Sequence, residues 1–105
     1  MVRKADLKIV KDFKDKISKK MKVDKVILFG SRAKGKVNEW SDFDIIIVSD
    51  KFRDVVSYKR SPEFYLYWDA DYPVDFLCYT PKEFKKRSKM ITIVREAVKN
   101  GIVID

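Results

Sequence analysis

The sequence predicts a compact α/β or α+β domain. Apolar residues recur at helical spacing near the amino terminus, three short apolar runs follow, and two proline-led capping signals introduce further helical text. At 105 residues the chain is read as one domain, residues 1–105, large enough for a single core but not for a second lobe.

Leu7, Ile9, Val10, Phe13, Ile17 and Met21 recur mostly three and four apart with charges between them, predicting an amphipathic helix over residues 5–20. Val26 to Phe29 is a short apolar run ended by Gly30, as for a buried strand entering a turn. Residues 31–40 are polar and contain Gly35, which predicts a loop or short helix. Phe43 to Val48 is apolar and β-branched, which predicts a central strand. Residues 51–58 carry no clear period. Ser61-Pro62-Glu63 predicts an N-cap with proline at the first helical position, opening a short aromatic helix through Phe64, Leu66 and Tyr67. Pro73 breaks that segment, and Val74 to Tyr79 reads as a third strand. Thr80-Pro81-Lys82-Glu83 has the spacing of a capping box, so a helix follows. It runs through Ile91, Val94, Ala97 and Val98, with a break near Ser88, to a C-cap at Asn100-Gly101. Ile102 to Ile104 then adds an edge strand. The chain has no internal repeat, low-complexity tract or linker.

Composition narrows the chemistry. The 24 Lys and Arg against 16 Asp and Glu leave a formal charge of +8, which favours anionic partners, although a Lys/Glu-rich surface of the thermophile kind accounts for it as well. The single cysteine, Cys78, excludes an internal disulfide and a multi-cysteine zinc site, and its apolar surroundings predict a small buried side chain. There is no histidine. That removes Ser-His and Cys-His nucleophiles, His-bound metals and His acid-base chemistry, leaving carboxylates, lysines, hydroxyls or a hard metal ion. No run approaches the ~18 apolar residues of a membrane span and no signal region is present, so a soluble cytoplasmic protein without membrane contact is expected.

Two aspartates, Asp42 and Asp44, stand at the head of the second apolar run, where strand propensity disfavours them. Residues two apart on a strand face the same side, so their charges repel unless a cation lies between them. Magnesium suits such a pair, because it takes one or two carboxylates together with phosphate oxygens and waters. Asp75 opens the third run. Were that strand to lie beside the second, Asp75 would face the same site and reach a second ion. An Asx turn at Ser41-Asp42, and a turn or salt-bridge role for Asp75, are the structural alternatives. Upstream, Gly30-Ser31 follows the first strand directly. Glycine permits close backbone approach to a phosphate, serine adds a hydroxyl donor, and Arg32, Lys34 and Lys36 add charge. Alone the Gly-Ser pair is a turn; beside a metal site it becomes a triphosphate cradle.

Taken together, Gly30-Ser31, ten residues, Asp42-Phe43-Asp44 and the later Asp75 resemble the signature of the DNA polymerase β-like nucleotidyltransferase superfamily. The likeness is greatest to its minimal nucleotidyltransferase branch, which includes MntA-like antitoxins. GSRAKG resembles the branch's GSRARG, SDFDIIIV resembles SDIDLLV, and the segment from Thr80 to Asp105 resembles its helical tail. The resemblance implies a small mixed sheet flanked by helices, with two magnesium ions. It makes Asp42 and Asp44 metal ligands and Asp75 the third carboxylate, which also helps to activate the acceptor hydroxyl. Gly30, Ser31, Arg32 and Lys34 would hold the nucleotide. Lys34 stands where the branch has arginine, keeping the charge but losing bidentate phosphate contact.

The implied reaction is transfer of a nucleoside monophosphate, AMP from ATP, to a hydroxyl. By the same resemblance the acceptor would be a tyrosine of a HEPN-type toxin, with this chain as antitoxin. A non-catalytic module that binds nucleotide or partner stays open, as does transfer to RNA or a small molecule, and so does assembly as a homo-oligomer.

Overall fold

The computed structural model describes all residues except Val37 and Glu39. Helix α1 spans Lys4–Ser18 and turns Val10, Phe13 and Ile17 into the core, as its period predicts. Strand β1, Lys25–Phe29, leads through Gly30 into a single helical turn, α2, Ser31–Lys34. Strand β2 is Phe43–Val48 and strand β3 is Val74–Tyr79, both with the bounds expected from their apolar runs. Between them, Asp50–Phe52, Ser57–Lys59 and Pro62–Tyr67 form three 3-10 turns. Helices α3, Pro81–Ser88, and α4, Ile93–Asn100, are separate, as the break near Ser88 foretold. The two-residue strand β4, Ile102–Val103, completes the sheet.

The sheet order is β3-β2-β1-β4. β1 pairs antiparallel with β2 and β4, whereas β2 and β3 are parallel. This is the expected mixed sheet with helices on both faces, and β2 is internal. Alternation along the strands sends Leu28, Phe43, Ile45 and Phe76 to the face covered by α1 and the crossover segment. Ile27, Phe29, Ile46 and Val48 go to the face covered by Phe84 of α3 and Val94 and Ala97 of α4. Phe13 stacks on Phe76 at 5.0 Å between centroids, and Phe64 and Trp68 close around them. Burying one such ring contributes roughly 2–3 kcal/mol.

Two local expectations need correction. Ser61 does not cap the aromatic segment: it has helical backbone angles and no side-chain cap bond, and the segment is 3-10 rather than α. Six residues give too few i to i+4 bonds to propagate an α-helix, and tertiary packing of Phe64 holds the segment instead. Gly101 does end α4, but its backbone is extended rather than left-handed. Glycine is required there by proximity, since a Cβ would collide with the Ala97 carbonyl and lie 3.0 Å from Ile27 Cγ2 and the Leu28 carbonyl. At the other predicted cap, the Thr80 hydroxyl accepts from Glu83 N–H while the Glu83 carboxylate accepts from Thr80 N–H, a complete capping box. Cys78 is half-buried, and burial pushes its thiol up to about 12 against the lowering influence of Arg60, which leaves it unreactive.

Candidate active site

β1 ends at Gly30, whose φ of 76° lies in the left-handed region that side chains resist. A Cβ at this position would collide with Oδ2 of Asp44, so the backbone turn and the carboxylate occupy adjoining space only because the residue is glycine. α2 begins at Ser31 with Gly30 as N-cap, and among the described residues no side chain caps its leading N–H groups. Ser31 is exposed beside them.

Arg32 behaves differently from the expectation of a nucleotide contact. It is 2% exposed and points into the protein. Its Nη1 donates to Asp6 Oδ1 at 3.2 Å, and its Nε and Nη2 donate to the Ser41 carbonyl at 3.2 and 2.8 Å. The guanidinium carbon sits 4.5 Å from the centroid of the Phe43 ring and 4.4 Å from that of Tyr72. A planar cation between two rings with a carboxylate at its edge is a structural arrangement, and it leaves the group turned away from the cleft. Because Arg32 follows Ser31 and Ser41 precedes Asp42, the contact ties the Gly30-Ser31 turn to the aspartate motif. Asp6 is buried, and its second oxygen, Oδ2, has no hydrogen-bond partner among the described residues. Sequence reading placed Asp6 only on an amphipathic helix; an aspartate in the first turn is ordinary, and nothing local marks its arginine partner 26 residues away.

Asp44 stands opposite Phe29 on one side and Asp75 on the other, because the parallel register of β2 and β3 aligns Asp44 with Asp75. Register partners face the same side of a sheet. Asp44 is half-buried, while Asp75 and Asp42 are exposed. Burial raises the Asp44 carboxyl above its ordinary value, and the charges of Asp75 and Asp42 raise it further. Phe43 faces the other way, fully buried, as alternation requires. The three aspartates therefore share one electrostatic neighbourhood. Among the described residues, however, no three carboxylate or thiol side chains are gathered tightly enough to form a ready-made metal cluster.

A cleft of about 230 Å³ opens beside this row, lined by Gly30, Lys34 and Asp44 from one side and by Ile93, Glu96 and Asn100 from the other. Lys34 is exposed, so its charge is available there. Glu96 and Asn100, one helical turn apart and bonded through Asn100 Nδ2 to Glu96 Oε1 at 2.6 Å, were not singled out from the sequence. Their signal was the polar stripe of α4. Asp44 and Glu96 bring carboxylates to the cleft and Asn100 an amide oxygen, ligands of the kind a hard cation takes. Arg32, expected to contact the nucleotide, instead bonds Asp6 and Ser41 inside the protein, while Gly30 and Lys34 line the cleft and Ser31 is exposed next to Gly30.

The mixed sheet aligns two strand aspartates beside a glycine-led turn. The chain belongs to the nucleotidyltransferase domain family, whose model matches residues 8–100. It is 50% identical over 44 residues to a Methanocaldococcus jannaschii protein provisionally named a protein adenylyltransferase, covering 40% of this chain and 44% of the relative. It is 32% identical over 68 residues to Haemophilus influenzae MntA, also provisionally named a protein adenylyltransferase, covering 63% of this chain and 60% of that one. The chain thus spans roughly half the length of these curated relatives. A Sulfolobus solfataricus crystal structure, provisionally titled a nucleotidyltransferase, superposes with a TM-score of 0.66 over 92% of this chain and 77% of that chain. At 23% identity it is a likeness of fold. No helix among the described residues is long and apolar enough to cross a membrane.

Proposed function

We propose that this nucleotidyltransferase domain moves AMP from ATP to a hydroxyl of a protein, with a tyrosine of a HEPN-type partner as the acceptor and the neutralisation of that partner as the result. The observation that carries the reading is the register of Asp44 with Asp75 beside the Gly30 turn. The names of the two curated relatives favour ATP and a protein acceptor over other substrates.

In this reading the Gly30-Ser31 turn accepts the triphosphate through its free N–H groups and the Ser31 hydroxyl, and Lys34 adds charge at the cleft. Asp42, Asp44 and Asp75 would hold magnesium, two ions in the full arrangement, and the metal would supply charge neutralisation for the phosphates and a lowered pKa for the attacking hydroxyl. The acceptor oxygen bonds to the α-phosphorus as the bond to the bridging oxygen breaks and pyrophosphate departs. Asp75, exposed on the edge strand, would receive the hydroxyl proton. Arg32 holds Ser41, and with it Asp42, at a fixed distance from Ser31, which supplies the in-line positioning this chemistry depends on. No histidine is needed.

The test is α-labelled ATP with magnesium, the purified chain and the protein encoded beside it. Label on a partner tyrosine is expected, and its loss in Asp44→Asn. A partner that stays unlabelled counts against the proposal. One observation favours a second reading, a module that binds without transfer: the described carboxylates are not closed into a three-ligand cluster. Such a module would neutralise its partner equally well after Asp42→Asn and Asp44→Asn.

A further inference from the structure

The α3–α4 hairpin concentrates the charge of the chain. Residues 81–100 hold seven cations and two carboxylates, a net +5 of the total +8. Lys82, Lys85, Lys86 and Arg87 are exposed on α3, and Lys89, Arg95 and Lys99 are exposed on the elbow and α4. Neither carboxylate answers them. Glu83 is spent on Arg60 through two bonds, at 2.6 and 3.2 Å, and Glu96 accepts from Asn100. Among the described residues no ion pair involves any of the seven; Arg87 alone has a partner, resting over the Tyr79 ring at 5.1 Å. Cations are usually interspersed with carboxylates on a surface, so an unpaired group of this density carries a self-repulsion cost that an acidic partner relieves.

At the centre of this charge the elbow exposes apolar side chains. Ile91 is 94% exposed, with Met90 and Ile93 about half exposed beside it. Ile93 also lines the cleft next to Gly30 and Asp44, so the elbow adjoins the candidate active site directly. Exposed aliphatic side chains flanked along the chain by exposed cations, next to the candidate cleft, supply the two components of an interface, an apolar centre and a charged rim. The apolar residues exposed here carry no aromatic ring, whereas a face for single-stranded nucleic acid offers rings on which bases stack. The exposed aromatics, Trp40, Tyr58 and Tyr65, lie on other segments.

We propose that the α3–α4 elbow is the docking face for a folded acidic protein, which seats Ile91 in an apolar pocket rimmed by carboxylates and so brings its surface to the mouth of the cleft. That the docked protein is the hydroxyl acceptor rests on the proposed nucleotidyl transfer; the docking itself does not. The charge should act mainly on association and Ile91 on dissociation.

The experiment places a photo-crosslinking residue at position 91 of the full chain in its own cells, with a control at exposed Lys11 on α1. The expected product is a cross-link from position 91, and not from position 11, to a protein of net negative charge. Binding of that purified protein should weaken about tenfold or more in Ile91→Asp and in the Lys85→Glu, Lys86→Glu double variant, the loss expected for a buried anchor and its rim. Binding of a fluorescent ATP analogue to Ile91→Asp reads the cleft separately. If it is unchanged while docking is lost, the surface is assigned whatever the fate of the transfer reaction. Cross-linking to RNA or to a second copy of this chain overturns the proposal. So does sedimentation of the chain with phosphatidylserine vesicles that Ile91→Asp abolishes, an absence of product above the control, or unchanged binding by both variants.

Discussion

Two nitrogens of Arg32 converge on the carbonyl oxygen of Ser41, Nε at 3.2 Å and Nη2 at 2.8 Å, while the third reaches Asp6. Arg32→Ala would strand the Asp6 carboxylate in the core and is expected to cost about 3–5 kcal/mol. Arg32→Lys keeps the charge but cannot serve Asp6 and Ser41 together, so its cost should be smaller. Urea unfolding gives both values. Where Arg32→Lys is still folded, magnesium-dependent ATP binding should be weaker than wild type, because Asp42 loses its anchor. Undiminished binding would contradict the positioning role.

Gly30→Ala forces a side chain into left-handed backbone and against Asp44 Oδ2. The backbone strain alone is worth about 1–3 kcal/mol, and the displaced carboxylate should lower transfer well beyond what lost stability explains. Thermal unfolding together with labelled-ATP turnover separates the two effects.

Asp44 should be stabilising only when neutral. Its carboxyl is raised above the ordinary value of 3.8 by burial and by Asp75 and Asp42, so its folded form prefers the proton. Stability is lost as pH rises from that ordinary value through the raised one. Asp44→Asn should therefore raise the melting temperature at pH 7 in metal-free buffer by a few degrees, the shift expected of roughly 0.5 kcal/mol from relieved like-charge pairing. The gap should close in acid. Magnesium with ATP should stabilise the wild type and not the variant, and transfer should disappear with the substitution.

Glu83 runs the opposite way. Its hydrogen bonds with Arg60 hold it at about 2, with the Thr80 N–H helping and partial burial opposing. The pair therefore contributes fully above the ordinary carboxylate value of 4.5 and is lost as pH falls toward 2. Glu83→Gln should cost about 1–2 kcal/mol at pH 7, moderated because the carboxylate is partly exposed, with the cost disappearing as pH falls through the folded value of about 2. Denaturant unfolding across that range checks it.

The strands and the Thr80 capping box were legible because each is written in consecutive residues: β2 and β3 begin and end with their apolar runs. The aspartates stood out because a charge at a strand entry conflicts with local propensity, and the structure adds the register that sets Asp44 beside Asp75. Arg32 was misread for the converse reason. GSRAKG shows a cation next to a phosphate turn, but the direction of its guanidinium depends on Asp6, Ser41 and Tyr72, which converge only in three dimensions. The same holds for Glu96 and Asn100, polar residues on a helix whose position over the cleft is decided by how α4 packs on β1.

Parallel pairing of β2 with β3 has a consequence for the order of events during synthesis. Asp44 and Asp75 become neighbours only after the chain has travelled through residues 49–73 and returned to the sheet. Closing so long an excursion is entropically costly and comes late relative to local helix and hairpin formation. A nascent chain that has emerged only as far as Pro73 already displays Gly30, Ser31, Asp42 and Asp44, yet it lacks the strand that aligns the remaining carboxylate. The fold thereby withholds the alignment of Asp44 with Asp75 until the crossover has docked, so a partly made chain presents the Gly30 turn and its neighbouring aspartates without the third.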